Sequence, residues 1–328
     1  MDKIIPDKLK SGDEVRIIAP ALSMSIISEE TRRFANSNFE KLGLKLTFGK
    51  HIEESDGFTS SSIKSRITDL HDAFSDKKVK AIFTVIGGFN SNQLLEYIDW
   101  ELIKKNPKIF CGYSDITALQ NAMLAKTGLV TYSGPAYSTL GQKHLDKYNI
   151  DYLRKCLIAD KPFEIYPPEY WTEDKWYINQ DDRHPLKNAG YWVLNSGKAE
   201  GTLMGGNLCT INLLQGTQYM PSSNDVVLFI EDDEETDAKL FDRDLQSLLQ
   251  TNYFKNIKGV VVGKFQKESK ISKKDLELII NTKSQLNDIP VIANVDFGHT
   301  EPRITFPIGG YVKIEATKDK VTITVLEH

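Results

Sequence analysis

Apolar and polar positions along the chain follow two rhythms. Short apolar runs lie at 15–19 (VRIIA), 44–48, 80–86 (KAIFTVI), 108–112 and 129–132. Between them, 29–42, 61–74, 92–100 and 116–126 carry apolar residues at helical spacing. The runs are apolar throughout, as strands are when helices cover both faces of a sheet. Strands alternating with helices of this length predict parallel βαβ units.

Residues 160–196 break both rhythms. They hold two adjacent prolines and three of the four tryptophans. A segment of this length without periodicity reads as a linker or a long ordered loop, and its aromatics argue for order. A second unit starts near Gly197. Apolar strands are expected at 226–230, 259–262 and 291–295, helices at 238–249 and 273–282, and β-like stretches at 311–315 and 320–326. The expected division is 1–160, a linking or substrate loop at 161–196, and 197–328.

Composition narrows the class. With 40% hydrophobic and 26% charged residues over 328 positions, the chain is an ordinary globular protein long enough for two domains. The 41 basic and 45 acidic side chains leave a net charge of -4 with no basic stripe, so no nucleic-acid partner is expected. No apolar run approaches the roughly 18 residues of a membrane span, and the first residues carry no secretory pattern. Cys111, Cys156 and Cys209 have no paired spacing. They read as buried thiols in a reducing compartment, hence the cytoplasm.

Three candidate groups lie just past predicted strand ends, where open parallel sheets bind ligands. Ser114, in GYSD, sits on a strand-to-helix corner as in a nucleophile elbow, although Ile116 replaces the usual last glycine. Ser114 or Asp115 could equally be a helix cap. Glu231 follows VVLFI and could orient a histidine, or it could open a solvated acidic loop that runs to Asp237. His299 follows a strand and Gly298; the other five histidines read as exposed. Together Ser, Glu and His are the parts of a general-base-activated hydroxyl. Two glycine turns, 86–90 and 204–207, bring backbone close. N–H groups of Gly88 and Asp115 could form an oxyanion hole, or GGFNSN could cradle a phosphate. No metal spacing or nucleotide-loop signature occurs, so no metal and no cofactor are expected. A two-domain binder that grips a polar ligand is the rival class.

GGFNSNQLLEYIDW, NPKIFCGYSDITALQ, GGNLCTI, LFIEDDEE and DFGHTEPRITFPIG together resemble the LD-carboxypeptidase family of serine peptidases. The resemblance runs from VRIIAP to the last strands. It implies an α/β protein with a flavodoxin-like parallel-sheet N-terminal domain and a smaller β-rich C-terminal domain, as a homodimer. It implies a catalytic triad at Ser114, Glu231 and His299. One branch trims the terminal D-alanine of muropeptides. The other, the microcin C immunity peptidases, cleaves an aminoacyl or peptidyl group from a nucleotide-like moiety. GGFNSN, YIDW and the aromatic loop are more similar to the second branch. In that branch a loop tryptophan stacks on the base, so Trp171 and Trp176 are candidates unless they only anchor the loop. Arg303, Asn90 and Asn92 are candidates for holding a terminal carboxylate or its mimic.

Overall fold

The computed structural model describes residues 2–254 and 256–328. Its N-terminal region alternates strands β1 (Glu14–Ile18), β2 (Lys45–Phe48), β3 (Val79–Thr84), β4 (Ile109–Gly112) and β5 (Thr131–Ser133) with helices α1 (Glu29–Lys41), α2 (Ile63–Ser75), α3 (Trp100–Lys105) and α4 (Thr117–Thr127). Helix α5 (Lys147–Leu157) follows. The five strands are parallel in the order β2-β1-β3-β4-β5, the flavodoxin arrangement. Local chemistry sets the helix starts. Ser28 and Ser62 cap α1 and α2 by accepting from Thr31 N and Ser65 N.

The next segment holds β6 (Phe163–Glu164), β7 (Tyr170–Trp171), β8 (Leu186–Lys187) and β9 (Trp192–Asn195). The C-terminal region comprises β10 (Gly197–Asn207), α6 (Leu208–Asn212), β11 (Val226–Glu231), α7 (Ala238–Leu249), β12 (Ile257–Gly263), α8 (Lys273–Asn281), β13 (Val291–Val295), β14 (Phe306–Ile308), β15 (Tyr311–Ala316) and β16 (Val321–Glu327). Its eight-stranded sheet runs β6-β16-β15-β10-β11-β12-β13-β9, with β10 to β13 parallel. Strands from 161–196 thus form both edges of this sheet. Strand β14 leaves it and pairs antiparallel with β5 of the first.

The two sheets share their interior. One buried cluster joins Phe83, Cys111 and Tyr132 to Phe229, Phe297 and Phe306. Another joins Ile116 and Leu119 to Met204, Leu208 and Ile230. The carboxyl ends of β4, β11 and β13 carry the three candidate groups.

The structure departs from the sequence reading at five points. The helix expected at 92–100 is a short 3-10 turn, Ser91–Leu94, followed by α3, because Asp99 caps at Leu102 N and starts the helix later. Helix α5 was not foreseen; it buries Tyr152, Leu153, Cys156 and Leu157 along one face. Gly205 and Gly206 lie within β10 rather than in a turn. Cys209 is exposed, whereas His328 is buried with Nδ1 against Cys156 O and Nε2 against Lys161 O.

Candidate active site

Ser114 has φ +63, a left-handed conformation that a non-glycine residue adopts at a cost of about 1–3 kcal/mol. Its hydroxyl caps no helix. The residue at the cap of the following 3-10 turn is Tyr113, with no side-chain cap bond. Ser114 Oγ instead lies 3.1 Å from His299 Nε2. His299 Nδ1 lies 2.8 Å from Glu231 Oε2. The imidazole therefore bridges the serine and a buried carboxylate, with the tautomer set by the Glu231 side. Burial opposes a charge on His299, but the Glu231 carboxylate outweighs it and raises the imidazole pKa above its ordinary value.

Close packing enforces this geometry. Glu231 ends β11, and a Cβ on Gly298 would sit 2.6 Å from Glu231 Oε2, so only glycine lets the His299 turn pass (φ +102). On the serine side, Gly206 admits Thr117 of α4, whose Oγ1 would be 2.6 Å from an added Cβ. Thr117 Oγ1 accepts from Asn207 N at 3.0 Å, and Asn121 Nδ2 donates to Gly205 O at 2.9 Å. Asn207 is paired in register with Glu231. The helix after the serine is thus pinned to the strand beside the glutamate.

The acidic run is not uniformly solvated. Asp232 is buried and accepts from Asn207 Nδ2 (3.1 Å), Cys209 N (3.2 Å) and Asp233 N (3.1 Å). Burial first, and the neighbouring Glu231 second, push its carboxyl up to about 7. Asp237 caps α7. Asp115 is buried and accepts from Ser91 N at 2.9 Å, fastening the glycine turn of residues 86–90 to the serine corner. A Cβ on Gly87 would lie 3.1 Å from Ser114 Oγ, so that turn runs beside the nucleophile candidate, and Gly88 follows it.

His299 opens into a cavity of about 660 Å³ lined by Tyr113, Ile86, Leu22, Trp176, Glu301 and Arg303, with Asp233, Glu234 and Glu235 at one side. Trp176 is in this cavity and Trp171 is not. Trp171 lines a separate hollow and lies beneath Lys264 and Lys267, 5.3 and 5.8 Å from its ring. Arg303 is buried, bonded to Glu301 Oε1 at 2.8 Å and stacked 4.2 Å from the Tyr113 ring. Neither Asn90 nor Asn92 lines the His299 cavity. Asn90 lines another hollow with Phe58, Arg66 and Phe89, and Asn92 lies in the Ser91–Leu94 turn. Tyr113, 5.4 Å from the His299 ring, and Asn207 were missed as site residues, although both stand inside motifs that the sequence singles out. Among the described residues, no group of three or more His, Cys, Asp or Glu could hold a metal ion. No described helix is long and apolar enough to cross a membrane.

A serine on a strained strand–helix corner, hydrogen-bonded to a histidine that a carboxylate orients, is the arrangement of serine hydrolases. The chain belongs to the LD-carboxypeptidase family. Residues 15–134 match the LD-carboxypeptidase N-terminal domain and 200–314 the LD-carboxypeptidase C-terminal domain. YocD of Bacillus subtilis (strain 168), which carries a carboxypeptidase name, is 51% identical over 98% of this chain and 99% of its own. A second B. subtilis (strain 168) relative, named for murein peptide carboxypeptidase activity, is 30% identical over 97% of this chain and 93% of its own. Among solved structures, an MccF-like protein from Bacillus anthracis str. Ames superposes with a TM-score of 0.97 at 52% identity, covering 99% of this chain and 100% of that one. The microcin C7 self-immunity protein MccF in complex with aspartyl sulfamoyl adenosine gives 0.89 at 29% identity, covering 99% of each. The chain is a serine-type carboxypeptidase by family, with the two-domain fold of MccF.

Proposed function

We propose that this protein cleaves the bond joining an aminoacyl or peptidyl group to a nucleotide-like moiety, as in microcin C-like compounds. Ser114 is the nucleophile. His299 takes its proton as Oγ attacks the scissile carbonyl, then returns it to the leaving group. Glu231 holds the imidazole and stabilises its cation. N–H groups of Gly88 and Asp115 receive the oxyanion, one such donor contributing about 3 kcal/mol. Water then releases the acyl group. Trp176 stacks on the base, and Arg303, which lines the same cavity with Nε and Nη1 unpartnered among the described residues, holds a terminal carboxylate or its mimic. The protein needs no metal or cofactor for this and works in the cytoplasm as a homodimer.

The observation that carries the reading is Trp176, the flat ring in the same cavity as His299. The ligand of the MccF complex, aspartyl sulfamoyl adenosine, offers such a ring a partner. The murein-named relative supports a second reading, removal of a terminal residue from a muropeptide. Product analysis with an aminoacyl sulfamoyl adenylate and a tetrapeptide muropeptide side by side decides between them. Cleavage of the muropeptide alone overturns the proposal.

A further inference from the structure

Two buried charges beside the site take no part in the proposed chemistry. Lys264 follows β12 and Asp296 follows β13, three residues before His299. Their side chains are 3% and 0% exposed, with Nζ 3.4 Å from Oδ1. A buried pair of this kind adds little stability over apolar packing, so its bonds point to another role. Lys264 Nζ donates to Asn188 Oδ1 (3.1 Å) and Asn294 Oδ1 (2.9 Å). Asn188 Nδ2 donates to Asp296 Oδ1 (3.0 Å), and Asn294 Nδ2 to Gly190 O (2.7 Å). Asn188 and Gly190 belong to the segment that carries Trp176.

The pair also frames the histidine turn. Lys264 N donates to Val295 O at 2.8 Å, and Ile304 N closes the turn onto Asp296 O at 2.9 Å. Thr172 and Glu301 exchange backbone bonds of 2.6 and 2.8 Å, a second tie between the same two pieces. Lys264 supports the Trp171 ring, and Lys267 N donates to Glu173 Oε2 at 2.6 Å. We propose that Lys264 and Asp296 are a positioning pair that holds the 171–190 segment, with Trp176, in register with the His299 turn.

The test compares wild type with Lys264→Met and Asp296→Asn. Two rates are followed: labelling of Ser114 by a phosphonofluoridate, and trypsin cleavage after exposed Lys175 relative to Lys273 in α8. Lys264→Met strands the Asp296 carboxylate and removes the link to Asn188. Labelling should fall at least tenfold and cleavage after Lys175 should rise at least tenfold, with cleavage after Lys273 unchanged. Asp296→Asn keeps the shape and one acceptor, so its changes should be in the same direction and below about fivefold. It carries the comparison if Lys264→Met is not recovered folded. Equal acceleration at both tryptic sites would reduce the pair to general stability, and unchanged rates would remove it from the site altogether. The labelling arm rests on the serine chemistry proposed above. Wild type that fails to label sinks that chemistry, whereas the proteolysis arm stands apart from it.

Discussion

At position 114 the backbone and the side chain make opposite demands. A φ of +63 suits glycine, yet the chain places a serine there. Ser114→Ala should fold as wild type and lose roughly 10⁴- to 10⁶-fold in turnover, as nucleophile removals do. Ser114→Gly should be equally inactive but more stable than Ser114→Ala by about 1 kcal/mol in urea, because glycine relieves the left-handed strain. A variant that keeps a tenth of wild-type turnover would rule Ser114 out as the nucleophile. His299 leads to a pH prediction. A base must be neutral to accept a proton, and the Glu231 carboxylate raises its pKa. The acid limb of kcat/KM should therefore lie above about 6.5, the ordinary imidazole value, and Glu231→Gln should move it down. A limb that stays in place in Glu231→Gln would uncouple the two residues. Asp232 titrates in the folded protein near 7 rather than near its ordinary value. Between about pH 4 and 7 the folded state holds a proton that the unfolded chain has released. Stability then falls as pH rises through that window, by at most about 1.4 kcal/mol per unit from this group. Urea unfolding at pH 5, 6 and 7 should show a flatter profile in Asp232→Asn; parallel profiles would contradict the assignment.

At the scale of elements, most of what positions the triad could be read from the pattern. The strand and helix at 291–295 and 238–249 fall where periodicity puts them, because each is a clean apolar run or stripe with its own cap or turn. The corner at Ser114 was legible as a motif, but its conformation was not, since a serine before an aspartate is also an ordinary cap. Pairings across about 90 to 190 positions, such as Thr117 to Asn207 and His299 to Ser114, leave no trace in a single sequence. The same holds for Asp232, whose burial depends on α6 lying over it, and for the contrast between the two loop tryptophans. Close approach of α4 and β10 leads to a test of packing. Gly206→Ala should lower stability by about 1–3 kcal/mol and reduce kcat/KM together, by forcing Thr117 off the strand. Loss of stability with full activity would show that the contact does not position the serine. Trp176→Ala should raise KM for an aminoacyl sulfamoyl adenylate by roughly 5- to 150-fold, the equivalent of about 1–3 kcal/mol of stacking, and change muropeptide cleavage much less. Equal losses on both substrates would make the indole a loop anchor.

For the molecule as a whole, the two sheets aim their carboxyl ends at one cavity, and neither alone holds the triad. The serine comes from the first sheet; the glutamate and histidine come from the second. Hydrolysis should survive exhaustive treatment with EDTA, since the proposed proton transfers run through side chains alone; a loss restored by added metal would overturn that. Strand β14 has a wider consequence. The chain enters the second sheet at Phe163–Glu164, then returns Phe306–Ile308 to β5 before finishing at β16. The halves are therefore stitched rather than strung together. A single protease nick within 171–187 would leave two fragments that stay associated and migrate as one particle under native conditions, separating only in denaturant. A gene cut at the same place would not yield two independent folding units, because the first fragment would lack the strand that completes its own sheet.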